Sequence, residues 1–220
     1  MTMPNSSAVN VGSKKLEGKR VMVMAGGTGG HVFPALAVAD ALRQDGCSVE
    51  WLGTERGIEA RVVPENNFPI HYLKITGVRG KGIASLLLAP IKIVSSILSV
   101  RRIMKTYNPD LVIGLGGYVA GPGGIAAWLL GKPLIIHEQN AIVGLTNRIL
   151  APFSDVMFTG FPIKHKNHKL EYTGNPVRKA LLGIAGPEQR FAQRSGAKRI
   201  LILGGSQGSS ALNNLVPDAL

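Results

Sequence analysis

The chain of 220 residues predicts an α/β protein built on a Rossmann-like, doubly wound parallel sheet, with the start of a second domain of the same kind behind it. Three observations carry this. Short apolar runs alternate with helical stretches, the signature of a parallel sheet covered on both faces. Glycine clusters close the apolar runs, as at the strand-to-helix turns of such folds. One opening pattern also occurs twice. Lys19-Arg20 followed by VMVMAGGTG at 21–29 aligns without a gap with Lys198-Arg199 followed by ILILGGSQG at 200–208. Two such openings about one domain apart imply two Rossmann-like domains in tandem.

Residues 20–25 (RVMVMA) form the first expected strand, 26–30 (GGTGG) its glycine turn, and 34–43 the helix that follows. SVEWL at 48–52, closed by Gly53, is the second strand and 70–75 the third. Residues 83–105 read as a helix broken or kinked near Pro90. A strand at 111–115 ends in Gly116-Gly117, and a helix covers 124–130. A strand at 134–137 precedes a short helix at 145–150, and 156–159 completes the sheet. Basic, polar KHKNHK at 164–169 and the turn residues Gly174-Asn175-Pro176 mark a domain boundary. The expected organisation is a polar, disordered tail at 1–18, a first domain at 19–165, a linker region at 166–196, and the first strand and helix of a truncated second domain at 197–220. After the second glycine turn only residues 209–220 remain, too few for a doubly wound domain. The chain therefore reads as the front of a longer two-domain protein.

Composition narrows the function classes. Twenty-eight glycines without a G-X-Y period exclude collagen and point to turns and close backbone approach. A single cysteine, Cys47, excludes a disulfide scaffold and a cysteine zinc site, and reads as a small buried hydrophobe. The net charge of +12 calls for an anionic partner: nucleic acid, an anionic membrane or a phosphorylated substrate. Residues 66–109 hold seven bases (Lys74, Arg79, Lys81, Lys92, Arg101, Arg102, Lys105), no acid, and the most apolar run in the chain. Within it, residues 83–100 are interrupted by Pro90 and Lys92, so a surface-seeking or core helix is expected rather than a spanning one.

The chemistry gathers at strand ends. GGTGG lets the backbone approach an anion where helix N–H groups point at it, and two such turns in tandem favour a phosphate-bearing ligand. Neither turn is a GxGxxG, because Val32 stands where the third glycine would be, and no GxxxxGK[ST] occurs. His31, at the mouth of the turn, sits where a helix N-terminus keeps an imidazole neutral, so it reads as a general base or a polar cap. His137-Glu138-Gln139-Asn140 follows a strand and reads as a site facing the same crevice or as a loop bracing the core. Tyr118, Asn147 and Arg178 follow similar contexts. His165-x-x-His168 lacks companions for a metal site, and no DxD occurs to hold Mg²⁺ on a nucleotide sugar.

GGTGGHVFPALAVAD (26–40), GLGGYVAGPGG (114–124), HEQNAIVGLTNR (137–148), TGNPVR (173–178) and LGGSQGSSALN (203–213) together resemble the MurG family of bacterial N-acetylglucosaminyltransferases. The resemblance runs from about Lys19 to the last residues. It implies a GT-B architecture and, without a cofactor, inverting transfer of GlcNAc from UDP-GlcNAc to the MurNAc 4-hydroxyl of lipid I, giving lipid II. It implies donor contacts at Thr28, Gly29, Gly30, Asn140, Arg178 and Ser206. His31, Tyr118, Glu138, Asn147 and Asn213 match positions tied to activity or acceptor handling, with His31 first and Glu138 second for the base. Thr28, Gly29 and Gly30 stand between two roles, because the family's first glycine loop is associated with the acceptor's pyrophosphate. The implied partners are the two substrates, an anionic membrane surface on the cytoplasmic side and cell-wall synthesis proteins, with no nucleic acid. For the lipid-embedded acceptor that the resemblance implies, an anchor on anionic lipid is expected chiefly at 78–88, with Lys74, Arg79 and Lys81 beside it. Two competing readings remain: an NAD-dependent nucleotide-sugar enzyme, which the missing GxGxxG opposes, and a non-catalytic, membrane-associated binding domain.

Overall fold

The computed structural model describes residues 16–74, 89–163, 170–192, 194–204 and 209–219. They divide into two compact units, one reaching Arg178 and the other beginning at Lys179.

The first unit is a seven-stranded sheet. Its strands are β1 (Arg20–Met24), β2 (Ser48–Gly53), β3 (Ile70–Tyr72), β4 (Leu111–Gly114), β5 (Leu134–Glu138), β6 (Val156–Thr159) and β7 (Leu170–Tyr172). Their order is β3-β2-β1-β4-β5-β6-β7, and every pairing is parallel. A parallel sheet needs cover on both faces, and side-chain alternation supplies two apolar faces here. Val21, Val23, Val49, Trp51, Ile113 and Leu115 form one core with α1 (Gly29–Gln44) and α2 (Glu59–Glu65). Met22, Met24, Leu52, Val112, Leu134, Ile136 and Met157 form the other with α3 (Ala89–Tyr107), α4 (Ala120–Leu129) and α5 (Leu145–Leu150). Cys47 is buried as expected, its thiol donating to the Leu16 carbonyl at 3.3 Å. Of the expected tail, residues 1–15 lie outside the described residues, while Gly18 N–H donates to Gly46 O at 3.0 Å.

Strands β1 to β6 fall where alternation and glycine punctuation put them, but two helices do not. Helix α1 begins at Gly29, five residues before the expected start, with extended Thr28 as its N-cap (φ −112°, ψ 158°). Thr28 O accepts from His31 N–H at 3.1 Å and Val32 N–H at 3.2 Å. Glycines look unhelical in sequence, yet the first turn of a helix needs no N–H partner and tolerates them. Helix α4 likewise starts at Ala120, ahead of the expected 124. There Gly124 lets the helix settle on the core, since a Cβ would come within 2.5 Å of Leu150 Cδ2. In α3, Pro90 is the second described residue of the helix. The described part of this helix shows no break there, and residues 83–88 lie outside the described residues. Helix α2 and strand β7 were not anticipated, being seven and three residues long.

In the second unit, α6 (Lys179–Leu182), α7 (Pro187–Phe191) and α8 (Ser210–Ala219) bury no residue. The strand expected at 200–203 is not formed: these residues are exposed, Leu201 by 80%, and hold no strand hydrogen bonds among the described residues. A strand exists only by pairing, and the described part of this unit has no partner for it.

Candidate functional site

The strand order reverses direction at β1, whose neighbours are β2 on one side and β4 on the other. At such a switch point the loops leaving the strand ends diverge to opposite faces and open a crevice. The loop after β1 is 26–30 and the loop after β4 is 115–119, so the topology brings the two glycine motifs together. Leu115 N–H donates to Met24 O at 2.9 Å. Gly116 (φ +103°) and Gly117 (φ +83°) then turn in the left-handed region. A Cβ on Gly117 would overlap the Gly26 carbonyl, and one on Gly116 would lie 2.6 Å from His31 Cδ2 and 2.9 Å from Nε2. The two loops therefore lie back to back, and the Nε2 edge of His31 rests in the space that Gly116 leaves open.

His31 is half-buried, and its Nδ1 lies 3.2 Å from Thr28 Oγ1. Burial pushes its pKa below the ordinary imidazole value, against a smaller upward pull from the Glu138 charge. That shift favours the neutral ring.

Glu138 closes β5 and is 2% exposed. Its Oε1 accepts from Asn140 N–H at 3.0 Å and Asn140 Nδ2 at 2.9 Å, and its Oε2 from Gly144 N–H and Asn147 Nδ2, both at 2.9 Å. Burial alone would raise its pKa. The four donors outweigh that and hold it below the ordinary carboxylate value. Asn147, 3% exposed, also donates to His137 O at 3.1 Å, so it braces the loop from within. Asn140 and Tyr118 face solvent. Gln139 Nε2 donates to Leu115 O at 2.9 Å and ties the end of β5 to the second glycine loop.

The TGNPVR segment returns to the same end of the sheet. His137 Nε2 donates to Gly174 O at 3.0 Å, and Asn175 Nδ2 to Gln139 O at 3.2 Å. Burial lowers the His137 pKa, with the Gly174 carbonyl and the Glu138 charge opposing. Arg178 lays its guanidinium over the Phe33 ring, 4.9 Å from the centroid. The same ring closes on Gly29, where a Cβ would lie 3.0 Å from Phe33 Cε2.

The first unit thus gathers Thr28, Gly29, Gly30, His31, Tyr118, Glu138, Asn140, Asn147 and Arg178 on the loops and helix starts at the C-terminal end of the sheet. Asn213 lies on α8 of the second unit, beside an apolar groove lined by Ile202, Leu212, Val216 and Pro217. Ser206 and the basic stretch 164–169 lie outside the described residues. Among the described residues no three His, Cys, Asp or Glu side chains gather as a metal site. No described helix is long and apolar enough to cross a membrane. The residue that motif reading missed is Glu59, wholly buried beneath the first glycine loop. Its only sequence signal is an acid two residues after Gly57.

Residues 21–159 match the glycosyltransferase family 28 N-terminal domain. The chain is 53% identical over 199 residues to a UDP-N-acetylglucosamine--N-acetylmuramyl-(pentapeptide) pyrophosphoryl-undecaprenol N-acetylglucosamine transferase of Vibrio cholerae, covering 90% of this chain and 56% of that protein. A Pasteurella multocida protein of the same name is 52% identical over 202 residues, covering 92% of this chain and 56% of its own length. The crystal structure of Acinetobacter baumannii MurG superposes with a TM-score of 0.71 at 46% identity, over 91% of this chain and 57% of that one. The chain spans about half the length of the curated relatives it matches.

Proposed function

The chain belongs to glycosyltransferase family 28, and from that premise we propose that it is the acceptor-side half of an inverting N-acetylglucosaminyltransferase that moves GlcNAc from UDP-GlcNAc to the MurNAc 4-hydroxyl of lipid I. The observation that carries this reading is His31 set between two back-to-back glycine loops at the switch point of the sheet. The relatives' names supply the substrates, a nucleotide sugar and an undecaprenyl pyrophosphoryl sugar.

For His31 to serve as base, the ring proton sits on Nδ1 and is donated to Thr28 Oγ1, which leaves the Nε2 lone pair over Gly116. Nε2 takes the proton of the acceptor hydroxyl as its oxygen bonds to C1 of GlcNAc. The bond from C1 to the UDP oxygen breaks with its electron pair, and inversion follows from attack on the opposite face. The N–H groups of Gly29 and Gly30, at the start of α1, face developing or resident phosphate charge. Glu138 is the weaker candidate for the base. Four donors already occupy its lone pairs and lower its basicity, so we assign it to holding Asn140 and the loop at 140–147.

An acceptor embedded in lipid requires a membrane face. The face assigned to 78–88, with Arg79 and Lys81, lies outside the described residues. The exposed stripe of α3 supports its continuation: Ile91 is 67% exposed, Val94 55% and Leu98 48%, and exposed Arg102 and Lys105 prolong the same stripe. On this reading the protein sits peripherally on the cytoplasmic face of the cell membrane.

Transfer of labelled GlcNAc to a lipid I analogue tests the assignment. The chain completed with the C-terminal part of the Vibrio cholerae relative should transfer the label in the presence of EDTA. The 220-residue chain alone should transfer little. No transfer by the completed chain would overturn the reading.

A further inference from the structure

Glu59 opens α2, packs against Gly26 and Gly27 of the first glycine loop, and is 0% exposed. A buried carboxylate needs partners, and this one has three. Its Oε2 accepts from Gly27 N–H at 2.9 Å. Its Oε1 accepts from Thr54 N–H at 2.9 Å and from the Thr54 hydroxyl at 2.6 Å. Among the described residues no cation pairs with it. Three glycines make room for it. A Cβ on Gly26 would lie 2.6 Å from Oε1, one on Gly53 would lie 2.7 Å from Cγ, and one on Gly57 would overlap the carboxylate. Two stretches of backbone, 26–27 and 53–57, therefore converge on one buried carboxylate.

Its position has a direct consequence for the loop. Gly27 has φ +92°, and its N–H points inward to Glu59. Beyond it, the N–H groups of Gly29 and Gly30, the first of α1, have no acceptor within the helix. An anion set behind a phosphate loop opposes phosphate by its charge. Its presence there is compensated only if fixing the loop contributes more than the charge costs.

We infer that Glu59 is the positioning residue of the 26–30 loop: by holding Gly27 N–H it sets Thr28, Gly29 and Gly30 for a diphosphate group. This rests on the reading of that loop as a phosphate cradle. Glu59 does not touch the ligand. It acts through Gly27, while Thr54 anchors the carboxylate from the other side.

The test uses the ¹⁵N-labelled chain titrated with inorganic pyrophosphate and, separately, with UDP, reading the amide shifts of residues 26–30. Glu59→Gln places an NH₂ group against one of two N–H donors. Glu59→Asp keeps the charge but withdraws it by one methylene. Both should weaken pyrophosphate binding by about tenfold or more, the loss expected for one misplaced charge-assisted contact. Thr54→Val removes only the hydroxyl donor and keeps the Gly27 bond, so it should lower the melting temperature yet leave affinity within about twofold. If Glu59→Gln does not fold, Gly57→Ala, whose Cβ displaces the carboxylate, carries the same expectation. Unchanged or tighter binding by the Glu59 variants overturns the inference, as does an equal loss of affinity in Thr54→Val. A wild-type chain whose loop responds to neither ligand overturns the cradle reading as well, whereas a responsive wild type with unaffected variants overturns this inference alone.

Discussion

Replacing Gly117 by alanine should destabilise the first unit more than any other single methyl addition in the two glycine loops. The residue has φ +83°, which costs an alanine about 1–2 kcal/mol. Its Cβ would also fall 2.9 Å from the Gly26 carbonyl carbon and nearer still to the oxygen. Both partners are backbone, so no rotamer change relieves the overlap, and forcing a methyl into such a site costs about 1–3 kcal/mol more. The expected total is about 2–5 kcal/mol. For a domain of this size that lowers the melting temperature by about 4–20 °C. Gly27→Ala is the internal control for strain alone, since its φ is +92° but nothing lies within 4 Å of its Cβ. It should lose only about 1–2 kcal/mol, or about 2–8 °C. Gly30→Ala has neither penalty, its nearest neighbour being Thr28 Oγ1 at 3.8 Å, and should hold or gain up to about 1 kcal/mol of stability. Because its methyl sits beside the proposed phosphate N–H groups, it should still weaken UDP binding. Thermal unfolding by circular dichroism, with urea midpoints alongside, ranks the three. If Gly117→Ala is no worse than Gly27→Ala, the close approach of the two loops is not what orders this site.

Three further outcomes are expected. His31→Ala in the completed enzyme should lower kcat by about 10²–10⁴-fold with little change in donor affinity, and a rise in donor Kd at constant kcat would make it a binding group instead. Burial holds the pKa values of His31 and His137 below the ordinary 6.5, so below that pH the unfolded chain binds more protons than the folded one. Their contribution is present above pH 6.5 and is lost as pH falls towards the folded values. Glu138, held below 4.5, adds a second loss in more acid solution. Urea midpoints should therefore fall between pH 7 and 5, and His137→Gln should flatten that fall, whereas a flat or rising wild-type profile contradicts the assignment. Lastly, sedimentation with phosphatidylglycerol vesicles should weaken with salt and drop several-fold on pairing Ile91→Ser with Leu98→Ser, at little cost in melting temperature because both side chains are exposed. Equal binding by the double variant would move the membrane face elsewhere.

The strand positions, the parallel α/β class and the two glycine loops were legible in the sequence because they are local signals. A period of two, β-branched runs and glycine punctuation lie within a few residues of one another. His31, Glu138 and Asn140 were legible for the same reason, each following a strand end. Tertiary structure alone decided what each group touches there. Glu138 reads in sequence as a second candidate base. Four donors drawn from 140–147 occupy its lone pairs, which supports the bracing role proposed for it, and that contact set depends on how the loop folds back. Glu59 carries almost no sequence signal, because its partner Gly27 belongs to another loop, 32 residues away, and meets it only when β1 and β2 pair. Arg178 over Phe33 and His137 on Gly174 likewise join segments far apart in the chain. The helix starts at Gly29 and Ala120 escaped notice because a first turn needs no N–H acceptor, and glycine there is stabilised by docking on the sheet rather than by propensity. Which strand lies beside which, and so which glycine loops share a crevice, is a long-range choice made by burial of both sheet faces, and no local pattern encodes it.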